Sequence, residues 1–218
     1  MDRPDRQAGG RIRGGAVCDA GLVSVGSTNG HVYGLDRATG APVWDVDLRG
    51  EVTGAPVLAE GLLYIGTRQS SSLVALDPAT GARRWRHTMF GSWVESEPAV
   101  RDGVLYVGSS DLRKVAAYDA ADGRLLGRTD VYGWSWGTPV VAADTVYAAA
   151  AGVDPYTIRH VGGVLGLDRA TGRALWRRPA ETTSGTMHSG FIGGAVLVGD
   201  LLIVAGVDGC VDAIGVGE

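Results

Sequence analysis

Short apolar runs punctuated by small residues recur along the chain, and each ends at an aspartate. They are His31–Asp36 (HVYGLD), Leu73–Asp77 (LVALD), Val115–Asp119 (VAAYD) and Val164–Asp168 (VLGLD). After each aspartate come two small or turn-forming residues, then Thr-Gly, or Asp-Gly in the third copy. The returning segment ends in Trp44, Trp85 and Trp176, but in Gly127 in the third copy. An apolar run, a tight turn and a returning run predict a β-hairpin. The aspartate can accept the backbone N–H groups of its own turn. Gly40, Gly81, Gly123 and Gly172 can supply the positive φ that other residues resist, and a tryptophan can fill the gap to a neighbouring unit.

A second hairpin precedes each of these. Ala55–Thr67 turns at Glu60-Gly61, Glu97–Ser109 turns at Asp102-Gly103, and Thr138–Ala150 is the third copy. Two hairpins make four strands, and the aspartates recur with a period of about forty residues, which predicts a repeat array. The expected fold class is all-β: a single small β-propeller of about five blades, each of four antiparallel strands. The blades fall at 11–48, 52–90, 94–130 and 136–178, with the last starting near Gly193. Residues 1–10 read as a loose polar tail, and 11–218 as the propeller. The last blade reaches Glu218 without a Thr-Gly turn or a Trp strand. A three-stranded last blade and a strand lent by the Pro4-containing tail are both open as ways to close the ring.

Composition narrows the function classes. The chain carries 20 basic and 24 acidic residues, a net charge of −4, which argues against a nucleic-acid or anionic-membrane surface. No apolar run is long enough to span a membrane, and no apolar leader stands at the N-terminus. Cys18 and Cys210 fall at different phases of the repeat, so no disulfide is expected and a reduced, cytoplasmic setting is the expected location. His31, His87, His160 and His188 are too widely spaced for a metal site, and none is expected. The 35 glycines mark turns rather than a phosphate-binding loop.

The pattern AxDxxTGxxxW resembles the docking motif of the pyrroloquinoline-quinone-like (PQQ-like) propeller repeat found in quinoprotein dehydrogenases. Ala75, Asp77, Thr80, Gly81 and Trp85 match it in full. The first and fourth copies carry Gly34 and Gly166 for the alanine, and the third keeps Ala117, Asp119 and Gly123 but lacks the Thr and the Trp. The resemblance spans nearly the whole chain and implies the propeller fold. The dehydrogenases are longer and carry vicinal cysteines and a calcium site. This chain has no adjacent cysteines, so no quinone and no other cofactor is expected. Similar repeats also occur in non-catalytic members, an outer-membrane assembly scaffold and kinase-attached sensors, which implies a binding role. No lipoprotein signal of the scaffold's kind is seen.

The links between blades do not repeat, as expected if they face different parts of one ligand at a channel mouth. Aligned on the phase of each link are Arg13, Thr53, Glu95, Trp136 and Ile192, and two residues earlier Arg11, Glu51, Trp93, Trp134 and Gly190. Trp93, Trp134 and Trp136 stand where small residues would serve the turn. They suggest an aromatic-walled site for a flat or apolar molecule, or an anchor for a partner protein; plugging the channel is the structural alternative. Glu95 and Glu97 stand two apart and share a face if extended, either as an acid/base pair or salt-bridged, with Arg13 as a candidate partner. His188, in the long link Glu181–Phe191 with Thr183, is a candidate proton shuttle or a loop histidine bonded to backbone. The insertion Ala150–Gly163 brings Tyr156 and His160 to the same rim, as a lid or a surface excursion. Two functions follow. One is a binding module for a small apolar molecule or a protein. The other is a cofactor-free cyclase, lyase or isomerase of an apolar small molecule, of the kind used in biosynthesis, in which Glu95 and His188 move a proton.

Overall fold

A computed structural model describes residues 9–19, 21–89, 91–153, 161–180 and 188–216, with Val153 and His188 described by backbone alone. Among these residues there is no helix. Five sheets follow in chain order, each an antiparallel meander. The first holds β1 (Ala16–Cys18), β2 (Leu22–Gly26), β3 (His31–Asp36) and β4 (Pro42–Asp47). The second holds β5 (Val57–Ala59), β6 (Leu62–Gly66), β7 (Ser72–Leu76) and β8 (Arg83–Thr88). The third holds β9 (Ala99–Arg101), β10 (Val104–Gly108), β11 (Lys114–Asp119) and β12 (Leu125–Asp130). The fourth holds β13 (Val140–Val141), β14 (Thr145–Val153), β15 (Gly163–Asp168) and β16 (Ala174–Pro179), with β17 (His188–Gly190) added against the far half of β14. The fifth holds β18 (Val196–Val198), β19 (Leu201–Ala205) and β20 (Val211–Gly215). It is three-stranded among the described residues.

The described residues up to Pro98, with Ala120–Arg124, form one compact unit, and the described residues from Ala99 onward, apart from Ala120–Arg124, form a second. In the first, Val32, Leu48, Val52, Leu63, Ile65, Val74 and Leu76 are buried in one cluster with Trp44. In the second, one cluster gathers around Tyr106, Val146 and Leu165, and another around Tyr147, Val164 and Leu202. The middle strands carry most of the burial: β7 is buried throughout, and β10 and β15 at all but one residue each. β7 has no exposed residue, which is why it reads as a continuous apolar run rather than an alternating one.

The repeat motif becomes a local device. Asp36 Oδ1 accepts the Thr39 N–H at 2.7 Å and the Thr39 hydroxyl at 2.6 Å. Asp168 holds Thr171 in the same way, and Asp77 holds Thr80. These bonds hold the Asp36 and Asp168 carboxyls below the usual range, the threonine hydroxyl acting most strongly. Asp77 is lowered first by the Arg84 guanidinium and then by Thr80. Across each hairpin the register shifts at one equivalent place, between Gly34 and Leu35, Ala75 and Leu76, Ala117 and Tyr118, and Gly166 and Leu167. Such a bulge bends the strand and steepens its twist beside the turn. The first hairpins of the second and third sheets turn as the sequence indicates: Glu60-Gly61 and Asp102-Gly103 each carry two successive positive φ values, the requirement of a type I′ turn.

The tryptophans join neighbouring sheets. Trp44 Nε1 donates to the Pro78 carbonyl at 3.0 Å, and Trp85 Nε1 donates to the Ala120 carbonyl at 3.0 Å. Each acceptor is the residue that follows the repeat aspartate of the next sheet. The ring also lies over that sheet's turn glycine: a Cβ on Gly81 would meet the Trp44 ring at 2.9 Å, and one on Gly123 the Trp85 ring at 2.6 Å. Only hydrogen fits beneath the indole.

The sequence reading is corrected in two places. The link 181–191 is not wholly a loop: His188–Gly190 pair with Ala151–Val153. The insertion after Ala150 begins as a continuation of β14, not as an excursion. Neither stretch shows period-two apolar alternation, because each is held by the partner the other supplies.

Candidate functional site

The link from β8 to β9 is extended, and its burial alternates. Ser92, Val94 and Ser96 are buried, while Trp93, Glu95 and Glu97 lie on the open side. The Val94 N–H donates to the Thr67 carbonyl at 3.1 Å, and its side chain sits where Gly66 leaves room, since a Cβ there would meet Val94 Cγ1 at 2.6 Å. The link from β4 to β5 does the same: Val52 is buried against Gly26, and its N–H donates to the Ser27 carbonyl. Inserting one valine turns its neighbours outward.

On the open side of the first unit, Trp93 is 40% exposed. The Arg68 guanidinium lies over its ring, 4.2 Å from the centroid. Arg68 also reaches Glu95 at 3.1 Å and Glu51 at 3.4 Å, and its backbone N–H donates to the Glu51 carbonyl at 2.9 Å. Gln69 accepts the Glu51 N–H at 3.2 Å. One cation thus holds an aromatic face and two carboxylates. Arg68 prefers this place because its planar fork can bridge carboxylates and still stack. Sequence reasoning misses it, because Arg68 lies in the β6–β7 link and not in a link between blades. Setting the β2–β3 and β6–β7 links side by side puts Arg68 opposite Thr28, because the Thr28 and Arg68 N–H groups donate to Arg11 and Glu51 carbonyls in turn. A charge at one copy of a position that is otherwise uncharged was the available signal.

Glu95 and Glu97 do share the open side, but they have different partners. Glu95 pairs with Arg68, and Glu97 accepts the Ala55 N–H at 3.2 Å. Arg13, expected as their cation, lies exposed while Arg68 takes that role. Thr53 is half-buried, and its hydroxyl oxygen is buried without a hydrogen-bond partner among the described residues. The links crowd closely here: a Cβ on Gly54 would meet the Glu95 carbonyl at 3.1 Å.

In the second unit, Trp134 and Trp136 are half-buried and lean on each other, with centroids 4.8 Å apart and planes 38° apart. Trp134 exchanges two 2.8 Å backbone hydrogen bonds with Ala151, which fixes the link on the extended part of β14. The Trp136 Nε1 is buried with no acceptor among the described residues. His188 is placed by its backbone in β17, opposite Val153. Tyr156, His160 and Thr183 lie outside the described residues. The structure thus brings Trp93, Glu95 and Arg68 together in one unit, and Trp134 with Trp136 in the other. Among the described residues, no cluster of His, Cys, Asp or Glu has metal-binding geometry, and no helix is long and apolar enough to cross a membrane.

Comparison with known proteins identifies the fold and the family. The chain is 31% identical over 75 residues to the outer membrane protein assembly factor BamB of Moranella endobia, a match covering 34% of this chain and 19% of that protein. The BamB structure from Moraxella catarrhalis superposes with a TM-score of 0.75 at 21% identity, covering 97% of this chain and 63% of that one. The quinohemoprotein alcohol dehydrogenase of Comamonas testosteroni superposes with a TM-score of 0.80 at 17% identity, covering 94% of this chain and 41% of that one. The chain therefore spans only part of the length of the proteins it resembles. At these identities the structures show the fold alone, and the fold class is the β-propeller. A family model described as outer membrane protein assembly factor BamB matches residues 3–71 and 69–216, and the chain belongs to this family of PQQ-like repeat propellers.

Proposed function

We propose that this chain is a protein-binding propeller module that grips its partner through its aromatic-bearing links, with Trp93 and Arg68 as the anchor. The observation that carries this is the exposed Trp93 ring held flat beneath Arg68 at 4.2 Å. Tryptophan and arginine are the residues most enriched among binding hot spots. A ring already fixed by a neighbouring guanidinium loses little freedom when a partner covers it. Glu51 and Glu95 flank the pair and would select a partner surface with positive charge at the rim. The assembly role named for the BamB relatives supports the same reading. It supports a binding function more than the cyclase alternative, because Glu95 is engaged by Arg68.

A photo-crosslinking residue at position 70, beside this cluster, tests the proposal in the native host. A single protein species is expected to crosslink, to be identified by mass spectrometry, and to be lost in W93A and R68E while both variants keep the wild-type circular dichroism. Retention of the same crosslink in both variants, or no crosslinked protein at all, overturns it.

A further inference from the structure

The second unit contains a cavity of about 770 Å³ between the third and fourth sheets, within the size range of small-molecule sites. Its position follows from the repeat. Gly127 pairs with Ala117 across the β11–β12 ladder, as Trp44 pairs with Gly34 and Trp85 with Ala75. The third copy is therefore the one whose tryptophan is replaced by glycine, and the cavity includes the place such an indole would occupy. Neighbouring residues record the loss. Gly34 and Ala75 are buried beneath their tryptophans, whereas Ala117 is half-exposed. Gly81 and Gly123 are buried beneath rings, whereas Gly172 is half-exposed, and a Cβ on it would meet only the Thr129 hydroxyl, at 3.2 Å. That hydroxyl donates to the Gly172 carbonyl at 2.6 Å, a different acceptor from the one the indoles use.

We infer that this cavity is a binding site for a flat bicyclic aromatic molecule with one N–H donor, of which indole is the type. The chain itself supplies the argument. At two equivalent places an indole lies between consecutive sheets and donates its N–H to the carbonyl after the repeat aspartate. The equivalent carbonyl here belongs to Arg169, one of the residues of the cavity wall, where Val104, Val115, Val146 and Leu167 stand beside the charged Arg128 and Asp144. An apolar patch within a partly polar wall, and an acceptor at the same place in the repeat as at the filled sites, match what such a ring requires. The occupant is a free molecule rather than a partner's tryptophan. At the two filled sites the ring springs from the strand itself, and here the backbone of Gly127 already occupies that origin. A Cβ on Gly127 has no atom within 4 Å, so the mouth of the space is open. This site is separate from the Trp93 surface and does not depend on it.

Calorimetric titration of the full chain with 3-methylindole tests the inference. Saturable binding of one equivalent is expected. 1,3-Dimethylindole, which lacks the donor, should bind roughly five- to tenfold more weakly. G127W should fill the space from within, abolish binding and raise the thermal midpoint, and G127A should keep binding. If G127W does not fold, A117L, which narrows the cavity from the opposite strand, should weaken binding at least tenfold. No saturable binding to wild type, or undiminished binding to whichever of G127W and A117L folds, overturns the assignment. Tighter binding of N-acetyltryptophanamide than of 3-methylindole also overturns it, by giving the site to a polypeptide tryptophan.

Discussion

The Ala120 carbonyl accepts two donors from the preceding sheet: Trp85 Nε1 at 3.0 Å and the Tyr64 hydroxyl at 3.1 Å. Trp85 and Tyr64 also touch each other, with ring centroids 6.0 Å apart. Both lone pairs of one buried oxygen are thus used within the first unit. Y64F removes one donor and leaves the carbonyl satisfied, so it should cost about 1 kcal/mol. W85F should cost a similar amount for the bond, plus lost ring area. The double variant strands a buried acceptor and should exceed the sum of the singles by about 1 kcal/mol or more. Urea unfolding of the four proteins measures the difference; strict additivity would show that the shared oxygen is not the link.

Gly123 and Gly103 have the same φ of +74°, but different surroundings. A Cβ on Gly103 meets nothing within 4 Å, whereas one on Gly123 lies 2.6 Å from the Trp85 ring. G103A should cost only the left-handed backbone penalty, about 1–2 kcal/mol. G123A adds overpacking of a sheet-joining indole, a further 1–3 kcal/mol approximately. Chemical denaturation of both variants separates the two effects, and equal losses would mean that the Trp85 ring yields freely.

The turn aspartates make stability fall in acid. Asp36, Asp77 and Asp168 have carboxyls held below their ordinary value in the folded chain. Lowered groups stabilise the fold fully above the unfolded carboxylate range, near pH 4, and that contribution is lost as pH falls through their folded values. The urea midpoint should therefore drop as pH goes from about 5 to 3. D36N/D77N/D168N, which keeps an acceptor for each turn but removes the titration, should start lower at neutral pH and show a shallower slope. An unchanged slope would assign the acid sensitivity to other carboxylates.

Much of this architecture is legible in the sequence because the interactions that make it are local. The aspartate bonds a threonine three residues on, the type I′ turns need only their own two residues, and the tryptophan position is set by the hairpin. Each therefore leaves similar letters from copy to copy, apart from the third, which lacks the Thr and the Trp. Arg68 left no such trace: its bonds run to Glu51, Trp93 and Glu95, which belong to other links, and a period does not encode pairings made once. β17 was invisible for a related reason. His-Ser-Gly has no strand pattern of its own and is ordered by the overlong β14. The glycine at 127 was legible as a departure from the repeat, but its meaning was not, because a cavity is a property of what surrounds a missing side chain.

Arg68 also makes a testable contribution to the first unit's open side. It is stacked on Trp93 and paired with two partly exposed carboxylates. An exposed cation–π contact contributes about 0.5–1 kcal/mol, and each partly exposed pair up to about 1 kcal/mol. R68A should therefore cost about 1–2 kcal/mol, and more at low salt than at high, because it leaves Glu51 and Glu95 without their common cation. R68K keeps the charge but loses the planar face and the fork, so it should recover the salt dependence without recovering the stacking. The stacking is isolated by a double-mutant cycle of R68A with W93A, where a coupling of about 0.5–1 kcal/mol is expected. If the coupling is near zero while R68A still destabilises, Arg68 acts through its carboxylates alone, and Trp93 is not held ready for a partner.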